Sequence, residues 1–168
     1  MRLLFPILTL SFLLACGAPS EGHDRKVPTP QGFLAPYGEV WVDGILHVFP
    51  ARVTHAYDQK EDRTVVAAYE PDTTEWTVFV QWTGDLDPET FSSDVDGGLE
   101  VWLLETGTGA WWAATYPMAN LATAEVTRWS PAGSGGQTDL TFQGTVALFS
   151  DPTVTRWVEG SLAATRLP

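Results

Sequence analysis

Between Glu39 and Phe49 two short β-rich runs flank the pair Asp43-Gly44. Asp-Gly tolerates the positive φ values of a type I′ turn, whose twist matches that of the strands on either side. A two-residue turn then pairs Val42 with Ile45, Trp41 with Leu46 and Val40 with His47. Pro50 follows directly and has no N–H to donate, so the second strand is confined to an edge or a bend. This hairpin commits the start of the domain to antiparallel sheet.

The rest of the chain repeats the pattern. Further β-rich runs cover Thr64–Tyr69, Trp76–Trp82, Leu99–Glu105, Trp111–Tyr116 and Ala122–Trp129. Thr106-Gly107-Thr108-Gly109 joins two of them as a second hairpin. A third hairpin joins Asp139–Phe149 to Thr153–Leu167 through Ser150-Asp151-Pro152. In its first arm Leu140, Phe142, Val146 and Leu148 alternate with Thr141, Gln143 and Thr145, which marks a half-buried strand. Gly144 interrupts that alternation at a bulge or a close backbone approach. Val158, Gly160, Leu162 and Ala164 share one face of the second arm. The spacing predicts an all-β fold, an antiparallel β-sandwich or barrel of about 8–9 strands with little helix. The one helical expectation is short, with Asp87 as N-cap, Pro88 in the first position and Glu89 in the first turn. Residues 130–136, Ser-Pro-Ala-Gly-Ser-Gly-Gly, read as a loop.

The N-terminus carries a different signal. Met1-Arg2 precedes an apolar run from Leu3 to Ala15, interrupted by Pro6, Thr9 and Ser11. A membrane-spanning helix needs about 20 apolar residues, so the run is short for spanning and suits a secretory signal. It ends Leu13-Leu14-Ala15-Cys16-Gly17, which resembles the lipobox of bacterial lipoproteins. The resemblance covers the first 16 or so residues and implies cleavage before Cys16 with a diacylglycerol on its thiol. Gly17, rather than Asp, after the cysteine implies sorting to the outer membrane of the envelope over the inner one. Cys16 is the single cysteine, so no internal disulfide competes for it. The expected organisation is a signal peptide over 1–15, a lipidated cysteine and flexible tether over 16–30, and the β domain over 31–168. Gly17 to Pro30 is rich in Gly, Pro, Ser and charge, as a tether should be.

Charge limits the partners. Without residues 1–15 the chain holds 8 basic and 21 acidic residues. From Thr64 to Thr127 there is no Lys, Arg or His, while the same window holds 11 acids. Such a surface repels phosphate backbones, and nucleic-acid binding is excluded as an expectation. Solubility accounts for most of the excess.

Two constellations remain. Asp85, Asp87, Glu89, Asp94 and Asp96 line an acidic loop that resembles a calcium-binding loop in its alternating oxygen ligands. It departs from an EF-hand where the turn needs Gly, since Thr90 stands there, and Asp96 replaces the final Glu. Calcium is therefore a minor expectation, and no other cofactor is implied. Tryptophan is the second feature, with 8 in the domain. Trp111 and Trp112, adjacent in a strand, must point to opposite faces. With Trp102 they form the candidate platform for a glycan or an apolar ligand. His47 and His55 lack partners at zinc-ligand spacing, and no nucleophile elbow or phosphate loop occurs. The best reading is a membrane-anchored envelope lipoprotein with a non-catalytic binding or structural role, its partner an envelope protein or a glycan. A ligand-binding module using Trp and carboxylates is the alternative, and a carboxylate-dependent hydrolase ranks last.

Overall fold

A computed structural model describes residues 36–69, 76–85, 90–94, 96–118, 120–129 and 136–166. These residues form strands and connecting turns, with no helix among them. In chain order the strands are β1 Tyr37–Val42, β2 Ile45–Pro50, β3 Val53–Asp58, β4 Arg63–Ala68, β5 Trp76–Thr83 and β6 Thr90–Ser92. They continue with β7 Glu100–Glu105, β8 Ala110–Ala114, β9 Ala122–Arg128, β10 Gln137–Leu148 and β11 Asp151–Arg166.

The first hairpin forms in the expected register, with Val42 opposite Ile45, Trp41 opposite Leu46 and Val40 opposite His47. Asp43 and Gly44 have φ of 50° and 81°, as the type I′ turn requires. β2 lies at an edge of the sheet, its Pro50 at the strand end. The described residues form 11 strands, two more than the runs in the sequence suggest. β3 is hidden because an inward slot is filled by His55 rather than an apolar residue. That ring is fully buried, with Thr138 Oγ1 at 2.8 Å from its Nδ1 and the Trp129 ring 4.8 Å away. β6 is only three residues long and sits in the acidic stretch. The expected helix start at Asp87–Glu89 lies outside the described residues.

Strand pairing closes on itself. β11 pairs with β3, and the order then runs β3-β4-β5-β7-β8-β10 and back to β11. Among the described residues two seams in this circuit are narrow, with two residue pairs each: the parallel contact of β3 with β11 and the antiparallel contact of β8 with β10. Elsewhere the pairing is broad. β2-β1-β11-β10-β9-β6 forms a six-stranded wall and β3-β4-β5-β7-β8 a five-stranded wall. The domain is a flattened barrel, and the two walls face each other across one core.

Alternation decides what enters that core. β5 sends Trp76, Val78, Val80 and Trp82 inward, β7 sends Val101 and Leu103, and β10 and β11 send Leu140, Phe142, Val146, Val158 and Leu162. Each large apolar side chain so buried stabilises the fold by about 1.5–3 kcal/mol. Gly160 leaves room for the Phe142 ring, since a Cβ there would lie 2.9 Å from ring carbon Cε1. Gly144 marks a close approach rather than a bulge, and the β10–β11 register shifts further on, between Ala147 and Leu148.

Arg156 seals one end of the barrel. Its guanidinium carbon lies 4.5 Å from the centre of the Trp112 ring and 5.5 Å from that of Trp76. Its Nη1 donates to Asp43 Oδ2 at 2.9 Å, and Glu105 Oε1 stands 4.0 Å from Nη2. One side chain thus ties β11 to the first hairpin turn, to β5 and to the β7–β8 hairpin.

Candidate functional site

The inward faces of β5, β7 and β8 fix what stands outside. β5 presents Phe79 and Gln81 on its outer face, β7 presents Glu100 and Trp102, and β8 presents Trp111. Phe79 sits directly opposite Trp102, and Gln81 opposite Glu100. β10 alternates regularly through its pairing with β8 at Ala147 and Leu148, which puts Phe149 on the same surface, where its N–H donates to the Trp111 carbonyl at 2.8 Å.

Four rings therefore meet on the five-stranded wall. Phe79 and Trp111 stack at 6.1 Å between centres and 28° between planes. Trp102 meets Trp111 edge-on at 6.2 Å and Phe149 at 5.8 Å. With Gln81 they line an open hollow of about 430 Å³. Trp111 is 40% exposed and Phe149 61%. Aromatic pairs in this arrangement add about 0.5–1.5 kcal/mol beyond burial, so the platform is held in shape before any ligand arrives.

Its polar neighbours are occupied with one another. Glu100 Oε2 accepts from the Trp102 indole at 2.9 Å and from the Gln81 amide. Arg63 Nη2 stands 3.8 Å from Glu100 Oε1. The carboxylate therefore fixes the Trp102 ring from beside the hollow, and the open surface is apolar.

Trp102 and Trp111 come together as the sequence suggests. Trp112 does not join them: it points into the core and is 4% exposed. Opposite faces for the adjacent pair is correct, but the pair alone does not say which ring is outside. Phe79 and Phe149 complete the platform, and sequence reasoning missed both. A signal for Phe79 exists, since Trp76, Val78, Val80 and Trp82 mark the other face of β5 as inward. Phe149 has one too, since Leu140, Phe142, Val146 and Leu148 mark the other face of β10 as inward, but only the pairing of β10 with β8 brings it beside Trp111.

Asp85, Asp94 and Asp96 are exposed, and Asp87 and Glu89 lie outside the described residues. Among the described residues no group of three or more His, Cys, Asp or Glu is placed to hold a metal ion.

The buried carboxylates among the described residues are Asp139 and Glu159. Burial pushes the Asp139 carboxyl above its usual range, opposed by Arg128, whose Nε is 3.2 Å away. Glu159 faces Gln143, four residues along β10 from Asp139. At about 3.3 Å per residue the two acids lie roughly 13 Å apart, beyond the ~5–9.5 Å that glycoside hydrolysis uses. They do not make an acid–base pair.

Comparison with protein-family models, with curated proteins and with solved structures finds no match.

Proposed function

We propose that this chain is a non-catalytic binding protein of the bacterial envelope, held to the membrane by a lipid on Cys16, which captures an apolar ligand on its aromatic platform. One observation carries the binding part. Phe79, Trp102, Trp111 and Phe149 form a contiguous outward hollow whose nearest polar groups already satisfy each other. Dispersion and ring stacking are what such a surface offers a ligand. An apolar hollow of this kind on a water-facing wall is an interaction site by default.

The binding part is tested with 1-N-phenylnaphthylamine, whose fluorescence rises in apolar surroundings, on a chain beginning at Gly17. Trp111→Ala and Phe149→Ala are each expected to weaken the dye by about tenfold, the loss of a central aromatic contact. Phe149 is 61% exposed and makes one ring contact, so its variant should melt within about 6 °C of the parent, while Trp111→Ala, which gives up two ring contacts, should melt lower but still fold. Equal dye affinity in parent and variants would remove the platform from the reading.

The anchor is tested separately. Cys16→Ala is expected to abolish incorporation of labelled fatty acid and release the protein from the membrane fraction, because the lipid chains provide the retention. A variant that remains both labelled and membrane-bound contradicts the lipidation site.

A further inference from the structure

The outer face of the six-stranded wall has a different chemistry. Across β1, β11, β10 and β9 one row reads Trp41, Glu159, Gln143 and Thr123, each opposite the next. The adjoining row places Trp157 opposite Thr145. Beyond them lies the Asn120-Leu121 turn, brought close because Gly144 has no Cβ to hold it away. The Thr145 N–H donates to the Leu121 carbonyl at 3.0 Å, which fixes the turn as a rim.

The result is a cleft of about 500 Å³, within the usual range for small-ligand sites. Trp157 forms one wall, and its ring is 44% exposed. Gln143, Thr123, Thr145 and Asn120 supply the polar lining. The Gln143 amide and the two threonine hydroxyls have no hydrogen-bond partner among the described residues. This is the reverse of the aromatic platform, where the polar groups are consumed internally. Among the described residues no Lys, Arg, Asp or Glu lines the cleft. Glu159 is buried beside it, 3.4 Å from the Trp157 indole nitrogen that donates to it, and so fixes the ring as Glu100 fixes Trp102.

We infer that this cleft binds a neutral saccharide, with one sugar ring stacked on Trp157 and its hydroxyls met by Gln143, Thr123 and Thr145. An indole face suits the apolar C–H face of a pyranose. Amide and hydroxyl groups both donate and accept, as vicinal sugar hydroxyls require. With no cation among the described lining residues, a chain of net charge −12 disfavours an anionic sugar. This site shares no lining residue with the aromatic platform and stands independently of it.

The test uses the full chain in a detergent without a sugar headgroup, with ¹⁵N-labelled indoles read by NMR. The Trp157 resonance is assigned by its loss in Trp157→Phe. Chitotriose, cellotriose and maltotriose are titrated as neutral probes, and trigalacturonate as the charged one. At least one neutral trisaccharide is expected to shift the Trp157 indole. Trp157→Ala should weaken that sugar by about tenfold or more. Gln143→Ala, an exposed amide that leaves the core alone, should weaken it by a smaller factor while every other indole keeps its position. The inference is overturned if no neutral probe moves Trp157, if trigalacturonate binds as well, or if both variants retain the parent's affinity.

Discussion

Gly144→Val is expected to leave little folded protein at ordinary temperature, and Gly144→Ala to lower stability by about 3 kcal/mol. A Cβ at this position would lie 2.4 Å from both the Ala122 Cα and the Leu121 carbonyl oxygen, and 2.7 Å from the Ala122 Cβ. Two of these three atoms are backbone, held by the pairing of β10 with β9, so they cannot swing aside as a flexible side chain does. Relief requires separating the two strands where Gly144 faces Ala122. A domain of this size has about 5–15 kcal/mol of stability in total. With a urea slope of about 1–3 kcal/mol per M, the alanine variant should shift the midpoint by at least about 1 M. Gly107→Ala is the control. A Cβ at Gly107 meets nothing within 4 Å, and its midpoint should match the parent. Equal midpoints for Gly144→Ala and Gly107→Ala would mean that the close contact of β10 with the Leu121–Ala122 backbone does not exist in solution.

Arg156→Ala is expected to cost about 2 kcal/mol, or about 8 °C of melting temperature for a domain of this length. The ion pair with Asp43 contributes little of this, because both side chains are about a third or more exposed. Stacking against two indoles contributes more, at about 0.5–2 kcal/mol per ring. Truncation also opens the barrel end beside Trp76 and Trp112, which removes packing as well as charge. Arg156→Lys keeps the charge and loses the plane that lies over the rings, so it should recover less than half of the loss. Arg156→Met keeps the stem and loses the charge. If lysine restores full stability and methionine none, the ion pairs dominate and the stacking account is wrong.

These variants probe features of unequal visibility in the sequence. The Asp43-Gly44 hairpin was legible to the residue, because turn chemistry fixes register locally. The alternation of β10 and β11 was equally plain, with Phe142 and Leu162 inward as expected. β3 was not, since its inward His55 depends on Thr138, far along the chain, for its hydrogen bond. No local pattern announces a polar core residue whose partner is remote. The aromatic platform was half visible for a related reason. Period-two alternation separates Trp111 from Trp112, yet only the inward run of neighbouring strands says which side is core. Phe149 follows the outward alternation of β10, and only the pairing of β10 with β8, remote in the chain, sets it beside Trp111. The polar cleft beside Trp157 was invisible because three strands and a turn compose it.

The two narrow seams also set an order of assembly. Each hairpin, β1–β2, β3–β4, β7–β8 and β10–β11, joins neighbours in the chain and can form early. The circuit closes only when Thr54 meets Thr165 and Trp112 meets Leu148. The first of these joins residues 111 positions apart, and such distant pairing is slow because loop entropy must be overcome first. β11 takes part in three pairings, with β1, β3 and β10. A chain emerging N-terminus first therefore holds an open sheet, with its core exposed on one side, until β11 arrives.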